Sequence, residues 1–289
     1  MTTFSTPYVT ALQSFYNTIG KSYNAATKSV HAGGPERLVE AAGPAITQGS
    51  YVLDLATGTG KVAFAAASQV GPTGRILGVD ISDEFVSLAA QTAAASGVSP
   101  FVEFLHGDVG TLDLPPTYKG RVFDAATCGS AIAMFPAPGA LLDVLARDML
   151  KPGGVFVADM WGPHLPAKIF LDVAVPRGFQ APFDPRWLAD PEGTFRRTFE
   201  GSGLELKSVR KEGMPQARWE AGTDEAIEGL WRNLAVEQTW LSFGLDGLDE
   251  QRVADIKRAC VEELEQYKSE DGAVVADMNQ WIAVAVVKD

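Results

Sequence analysis

The chain has 289 residues, of which 46% are apolar and 21% charged, and its formal net charge is −12 at pH 7. This composition predicts a globular protein without a membrane-spanning stretch. It also excludes nucleic acid as the partner, because a phosphate backbone needs a basic face. Two cysteines without paired spacing indicate neither a disulfide framework nor a zinc site, and no metal is expected. The N-terminus carries no signal-like apolar segment, so we expect a cytoplasmic protein.

Residues 1–48 are predicted to be helical and to precede the first strand. Apolar side chains recur at helical spacing in residues 10–19, a second segment follows in 22–28, and a third begins at Pro35, a residue suited to a first helical turn. Tyr16 and Tyr23 lie on the first two segments. Their rings either cover a ligand or pack on the core, and the sequence leaves both interpretations open.

A buried strand, a glycine loop and a helix are predicted in residues 51–70. Residues 51–56 form a short apolar run that contains one acid, Asp54, and such a run is typical of a strand covered on both faces. Gly58 and Gly60 allow a tight turn and a close approach to a ligand. The free N–H groups of the helix at 61–70 would face that ligand. This pattern indicates a nucleotide-like ligand, although dinucleotide oxidoreductases use the same turn.

Strands and helices then alternate up to residue 159, which predicts a parallel α/β sheet with right-handed crossovers. Further strands are predicted at 75–80, 101–105, 122–128 and within 149–157, with helices at 83–96 and 138–150. Asp80 closes the second strand and Asp108 follows the third. Both acids would lie at the carboxyl edge of the sheet, where open α/β sheets bind ligands. Each taken alone could also be a turn or helix-start acid.

The pattern changes after residue 160. A helix is predicted at 191–201, a sixth strand at 204–211, two or three helices within 223–267 and a seventh strand at 281–287. This half of the chain contains all six tryptophans, namely Trp161, Trp187, Trp219, Trp231, Trp240 and Trp281. A substrate pocket built from it would be aromatic, whereas each ring considered alone could be a core residue.

The ordered series of Asp54, the glycine loop, Asp80 and Asp108, closed by the Pro-Gly-Gly turn at 152–154, resembles the class I S-adenosylmethionine-dependent methyltransferases. It is similar to the small-molecule group that includes ubiquinone and menaquinone biosynthesis enzymes. The resemblance implies a Rossmann-like, doubly wound α/β sheet of seven strands, with the antiparallel last strand inserted between the fifth and sixth. It further implies one domain over 1–289, with an N-terminal helical lid (1–48), a cofactor-binding core (49–160) and a substrate-side half (161–289) carrying a helical insertion at about 223–270.

The resemblance implies S-adenosyl-L-methionine as the cofactor and S-adenosyl-L-homocysteine as its product. Asp54 and the glycine loop would then line the methionine end, Asp80 would bind the ribose hydroxyls and Asp108 would cap the adenine amino group. Ionised carboxylates suit both contacts because they only accept hydrogen bonds. The predicted cofactor-binding residues are Tyr23, Asp54, Ala56, Thr57, Gly58, Gly60, Asp80, Ile81, Asp108, Val109 and Cys128.

The implied reaction is methyl transfer to O, N, S or C of a small, aromatic or apolar metabolite. The negative net charge of the chain favours a neutral or cationic acceptor over an anionic one. His164, which follows the fifth strand, is the preferred candidate for a general base, and its alternative role is that of a loop residue. The predicted substrate-binding residues are Tyr16, His31, Met134, Trp161 and Trp231.

Three other functions compete with methyl transfer. A natural-product enzyme could use bound S-adenosylmethionine to promote cyclisation or rearrangement, and the absence of histidines at Ala133 and Met134, where the family often has them, leaves room for this. A dinucleotide oxidoreductase is disfavoured by Asp54 and by the last strand. A non-catalytic binding subunit is disfavoured by the intact glycine loop. The residues do not indicate an oligomeric state.

Overall fold

The computed structural model describes residues 6–26, 33–108, 114–162, 165–181, 183–220, 231, 244–245 and 247–288. Seven strands form one sheet in the order β3-β2-β1-β4-β5-β7-β6. The strands are β1 Tyr51–Leu55, β2 Arg75–Asp80, β3 Val102–His106, β4 Phe123–Cys128, β5 Leu150–Trp161, β6 Leu204–Glu220 and β7 Ala273–Val287.

The described helices surround this sheet. They are α1 Thr6–Ala26, α2 Gly34–Ala41, α3 Lys61–Val70, α4 Asp83–Ala95, α5 Pro138–Val144, α6 Leu165–Ala174, α7 Arg186–Ala189, α8 Pro191–Phe199 and α9 Glu250–Leu264. Of the predicted insertion at 223–270, the structure describes α9 and a few residues before it. No helix in the described ranges combines the length and the apolar character needed to span a membrane. The division of 1–289 into lid, core and substrate-side half stays a prediction.

The strand order confirms the predicted seven-stranded, Rossmann-like sheet. Strand β1 pairs in parallel with β2 and β4, while β7 is antiparallel to both of its neighbours, β5 and β6. Val52 and Leu53 are adjacent on β1 and point to opposite faces, and both are buried. The central strand is therefore covered on both sides, as its continuous apolar run predicts.

Strands β6 and β7 extend well beyond the predicted 204–211 and 281–287. Their pairing runs from Leu204 opposite Val287 to Glu220 opposite Ala273, with two irregularities in register. Polar residues and a proline interrupt the sequence of β6 after Lys211, so no alternating pattern marks this part as a strand. Pairing with β7 supplies the backbone hydrogen bonds that local sequence does not predict.

Two predicted helical boundaries differ in the structure. Residues 10–19 and the described part of the second segment, 22–26, form one continuous helix, α1, in which Gly20 lies against Glu84 of α4. The helix predicted at 138–150 is α-helical only as far as Val144 and ends in a π-helical turn, Leu145–Met149. The Pro-Gly-Gly turn that follows lies inside β5, where the pairing with β4 is irregular.

The largest core cluster lies between the sheet and helices α5, α7 and α8. Phe156 of β5 is fully buried in this cluster, and its ring centroid lies 6.0 Å from that of Phe199 on α8. On the other face, α2 and α3 cover Val52, Ile76 and Val157. A third cluster joins α6 to α9 through Phe170 and Ile256.

Truncating the buried ring of Phe156 tests this core directly. We expect Phe156→Ala to lower the free energy of unfolding by about 3–5 kcal/mol, because the substitution leaves a cavity between the sheet and α8. Val175→Ala is the control, since Val175 is 50% exposed, and it should change the value by less than about 0.5 kcal/mol. Urea denaturation of both variants provides the measurement, and equal losses would contradict the assignment of Phe156 to the core.

Candidate active site

A cleft lies at the carboxyl edge of β1, β2 and β4, beneath helix α1. It consists of two adjoining cavities, both lined by Tyr23, Gly58 and Ser130. The first cavity also contains Asp80 and Asp108 at its wall and has about 820 Å³ of space, part of it open to solvent. The second cavity extends towards Asp54 and Asp159.

Helix α1 is held over the cleft by contacts at both of its ends. The Tyr8 hydroxyl donates to the Met134 carbonyl (3.1 Å), and the Thr59 hydroxyl donates to the Asn24 side chain (2.7 Å). Between them, the rings of Tyr16 and Tyr23 pack on Phe85, with centroids 5.6 and 4.9 Å away. The helix is therefore in place as a cover, and both predicted tyrosines face the first cavity.

The glycine loop turns through two residues with left-handed backbone. Gly58 has φ +55° and Gly60 has φ +86°, a region in which glycine carries no steric cost. A Cβ at Gly60 would lie 2.7 Å from the Phe64 ring, whereas a Cβ at Gly58 would meet no atom within 4 Å. Gly60 is thus required by packing. Gly58 leaves open space in the cleft that a ligand could occupy.

Asp54 holds the loop rather than projecting freely into the cleft. It is 1% exposed, and it accepts hydrogen bonds from the hydroxyls of Thr57 (2.6 Å) and Thr127 (2.7 Å). The backbone N–H of Ala63, in the first turn of α3, also hydrogen-bonds to it. The acid inside β1 therefore ties together the loop, strand β4 and the N-terminus of α3.

Asp80 links two loops through backbone amides at the end of β2. Its carboxylate accepts from the N–H of Gly58 (2.8 Å) and from the N–H of Ser82 (2.9 Å). An ionised carboxylate has about four acceptor positions, so capacity for further donors remains. Asp80 and Ile81 line the first cavity together with Asp108, which brings the predicted ribose and adenine acids to one wall.

A polar network that the sequence did not predict crosses the floor of the second cavity. The Asp159 carboxylate accepts from the Ser130 backbone N–H (2.6 Å) and from the Gln280 side-chain amide (2.7 Å). Gln280 accepts in turn from Arg37 Nε of α2 (2.8 Å), and the Trp161 indole N–H donates to the Ser130 hydroxyl (2.7 Å). Ser130 has φ +57°, which is unusual for a residue other than glycine. The network holds this strained residue at the end of β4.

Burial dominates the electrostatics of the three acids. It raises the pKa of Asp54, Asp80 and Asp159 to about 6, although the hydrogen bonds that each accepts lower it in part. Burial also raises the pKa of the Tyr23 hydroxyl, and the ammonium of Lys61 lies 5.8 Å from the centre of its ring. The cleft is thus a poorly solvated site in which carboxylates can exchange protons near pH 6.

The structure brings together most of the predicted cofactor residues. Tyr23, Ala56, Gly58, Asp80, Ile81 and Asp108 line the first cavity, and Asp54 and Thr57 line the second. Gly60 lies behind the loop, against Phe64. Cys128 is fully buried in the core, and burial raises the pKa of its thiol. Val109 lies outside the described residues.

The predicted substrate residues are more scattered. Tyr16 and Met134 line the first cavity and Trp161 lines the second. Trp231 packs against Phe170 in the cluster between α6 and α9, with centroids 6.0 Å apart, so its placement here is that of a core residue. His31 and His164 lie outside the described residues. His106, the histidine within the described ranges, ends β3 and lines neither cavity.

The tryptophans of the second half contribute to the cavity walls in part. Trp161 lines the second cavity, whereas α1 and the turn after β4 supply the apolar wall of the first cavity through Tyr8, Leu12, Met134 and Phe135. Trp187 is 3% exposed, packs against Phe195 and lines a neighbouring cavity. An aromatic substrate pocket built from residues 161–289 stays a prediction.

Comparison with known proteins supports the same core. Residues 46–175 match a family model described as "Methyltransferase domain". This part of the chain is therefore similar to a methyltransferase domain. S-adenosylmethionine is the cofactor of this family. A demethylmenaquinone methyltransferase from Symbiobacterium thermophilum is 30% identical over 148 residues, which are 50% of this chain and 57% of that protein.

One further sequence relative and one solved structure are similar to this chain. A 2-phytyl-1,4-naphtoquinone methyltransferase from Synechococcus elongatus is 34% identical over 141 residues, 48% of this chain and 55% of that protein. The chain therefore spans about half the length of these curated relatives. The structure of phosphoethanolamine N-methyltransferase 2 from Haemonchus contortus in complex with S-adenosyl-L-methionine has a TM-score of 0.55 at 17% identity, covering 96% of this chain and 60% of that one. This likeness shows the fold alone.

The raised pKa values predict an unusual pH dependence of stability. Each of the three acids has a pKa of about 6 in the folded chain, against an ordinary aspartate value of 3.8. The folded state therefore binds more protons, and the stabilising contribution present at low pH is lost as the pH rises through about 6. For Asp80 alone, we expect the free energy of unfolding to be about 1 kcal/mol higher at pH 5 than at pH 7.5.

A matched pair of variants isolates this contribution from general charge repulsion. Asp80→Asn removes the titrating group and should reduce the difference between the two pH values. Asp172→Asn removes one charge from a side chain that is 63% exposed and should leave the difference as in the unmodified chain. Urea denaturation at both pH values measures the difference in the free energy of unfolding. If Asp80→Asn left that difference unaltered, the raised pKa of Asp80 would be refuted.

Proposed function

We propose that this protein is an S-adenosylmethionine-dependent methyltransferase that acts on a small aromatic acceptor. The observation that carries the proposal is the convergence of Asp80, Asp108 and Gly58 on one cleft beneath α1. These residues come from three separate loops at the carboxyl edge of the sheet. A nucleoside with two ribose hydroxyls and an exocyclic amine offers the donors that the two carboxylates need.

The residues present are compatible with the cofactor in size and in chemistry. Gly58 leaves space where any side chain would project into the cleft, and Asp80 keeps acceptor capacity beyond its backbone contacts to Gly58, Ile81 and Ser82. The second cavity, with Lys61 and the Asp159 network at its wall, would take the amino-acid end. The remaining predicted contacts, including Val109 and Cys128, stay proposals.

The bound cofactor supplies a methyl group on a positively charged sulfur. The protein's part is to align the acceptor in line with that group and to exclude water. Tyr8, Leu12 and Phe135 form apolar walls suited to this, and α1 closes the cleft above them. A base is needed only for an acceptor that arrives protonated, and His164 remains our candidate for that role.

The acceptor class is inferred from the cleft and from the names of relatives. A flat ring suits the apolar end of the cleft that Phe135 and Pro136 provide. The relatives named for demethylmenaquinone and for 2-phytyl-1,4-naphthoquinone act on ring systems of this kind. We therefore propose a reduced, hydroxylated aromatic ring, of which 1,4-dihydroxynaphthalene is the simplest bicyclic probe.

Cofactor binding is tested by a pair of glycine substitutions. Gly58 and Gly97 both have left-handed backbone, at φ +55° and +72°, and a Cβ at either would meet no atom within 4 Å. Alanine should cost about 1–2 kcal/mol of stability at each position. Gly97 ends α4 on the surface, so only Gly58→Ala should weaken binding of S-adenosylhomocysteine, by about tenfold or more, because the methyl group fills the cleft.

Isothermal titration of the unmodified chain and of both variants provides the measurement. Equal affinities in Gly58→Ala and Gly97→Ala would place the ligand elsewhere. An absence of binding to the unmodified chain at millimolar S-adenosylhomocysteine would remove the proposed function altogether.

Transfer itself is tested with a methyl-labelled cofactor and 1,4-dihydroxynaphthalene. We expect label in the aromatic product and an equal amount of S-adenosylhomocysteine, measured by mass spectrometry. The control is the Asp80→Ala variant, which loses the acceptor for the ribose and should form product at a rate lower by about 10²-fold or more. A product that forms without label would show that the cofactor is bound but not consumed, and methyl transfer would then be rejected.

A further inference from the structure

A third cavity lies beside the cleft, at the level of the turn after β4. Tyr8, Phe135 and Pro136 line both this cavity and the first cavity of the cleft. Its other walls come from the start of α5, from α7 and from the C-terminal turn of α8. A molecule in this cavity would therefore lie next to the end of the cleft that Met134 and Phe135 close.

The inner wall of this third cavity is apolar and aromatic. Phe183 and Trp187 are 9% and 3% exposed, and the Trp187 ring packs edge-on against Phe195 with centroids 4.9 Å apart. Pro136 and Pro138 add rigid apolar surface on the opposite side. Fixed rings and prolines favour a flat apolar ligand, because little conformational entropy is lost when such a ligand binds.

The rim of the third cavity is cationic, in contrast to the chain's net charge of −12. Its charged lining residues are Arg186, Arg197 and Asp184. Arg186 is held by Asp184, which accepts hydrogen bonds from its guanidinium and its backbone N–H. Arg197 also lowers the pKa of the Asp184 carboxyl, so two arginines share one acid in the lining, which leaves an excess of one positive charge among the lining residues.

Arg197 is paired outside the cavity, and this pair is open to exchange. Both of its terminal nitrogens lie 3.1 Å from Asp190 Oδ2, and Asp190 is about half exposed. Asp190 also caps α8 by accepting from the Gly193 N–H (3.0 Å). Exposed ion pairs contribute little free energy, so an anion bound in the cavity can replace Asp190 as the partner of the Arg197 guanidinium.

We propose that the third cavity binds the acceptor, and that the acceptor is a flat aromatic ring carrying an anionic group. The ring lies between Phe135 and Trp187, the anion pairs with Arg197, and the nucleophilic atom faces the cleft past Tyr8. This inference rests on the proposed function and specifies its substrate class. It reverses, for this site, the expectation from net charge alone that an anionic acceptor is disfavoured, since the charged residues that line the cavity are two arginines and one aspartate.

The test compares two probes that differ only in the anion, 1-naphthol and 1-hydroxy-2-naphthoate. Binding is followed by isothermal titration at low salt, on the full chain, with and without S-adenosylhomocysteine. We expect the carboxylate to bind about tenfold more tightly than the neutral ring, as one charge-assisted contact would give. Arg197→Met should abolish this preference because it keeps an apolar stem and removes the charge.

Arg196→Met is the matched control. Arg196 is the preceding residue on α8, pairs with Glu192 and does not line the cavity. The substitution Arg196→Met removes the same charge from the protein but leaves the cavity unchanged. The preference for the carboxylate should therefore persist. Equal loss of the preference in Arg196→Met and Arg197→Met, or equal affinity of the unmodified chain for both probes, would overturn the proposal.

A filling variant tests the location separately. Thr198 lines the third cavity and not the cleft, so Thr198→Trp should abolish binding of both probes and leave the affinity for S-adenosylhomocysteine unchanged. Retained probe binding would overturn the location. If the unmodified chain did not bind S-adenosylhomocysteine, the proposed function would be contradicted instead. Failure of the acceptor site and failure of the proposed function therefore give different results.

Discussion

Three buried carboxylates fix the loops at the carboxyl edge of the sheet, and the geometry of the site depends on them. Asp54 holds Thr57, Asp80 holds the Gly58 amide, and Asp159 holds Ser130. Burial of an acid costs free energy, which is expressed here as pKa values raised to about 6. The three acids are buried at positions where backbone amides and a strained residue, Ser130, must be held in place beside the ligand site.

The sequence predicted the strands of the core because each is a short apolar run between turn residues, and the place of the last strand in the sheet followed from the family resemblance. It also predicted that Asp54, Gly58, Asp80 and Asp108 converge, since the ends of parallel strands meet at one edge. It could not predict the link from Arg37 through Gln280 to Asp159, because these residues are far apart in the chain and only the fold brings them together. Residues of this kind carry no local pattern.

The covering of the cleft illustrates the same limit. Helical spacing predicted the segments that contain Tyr16 and Tyr23, yet their joining into one helix depends on packing against α4. Tyr8 was not singled out, although its hydroxyl reaches the Met134 carbonyl across the chain. A pocket wall built from tryptophans of the second half stays a prediction, and in the described residues α1 and the turn after β4 supply the apolar wall of the first cavity. Composition identifies apolar surface but not which side of the core it lines.

The central claim is that the cleft beneath α1 binds the nucleoside of the cofactor through the acids that end neighbouring strands. A crystal structure of the chain with S-adenosylhomocysteine tests this most directly. The account predicts ribose hydroxyls within hydrogen-bond distance of the Asp80 carboxylate, with the adenine amino group beside Asp108 and the Gly58 amide still bound to Asp80. A nucleoside bound outside this cleft, or an Asp80 carboxylate that makes no contact with the ribose, would contradict it.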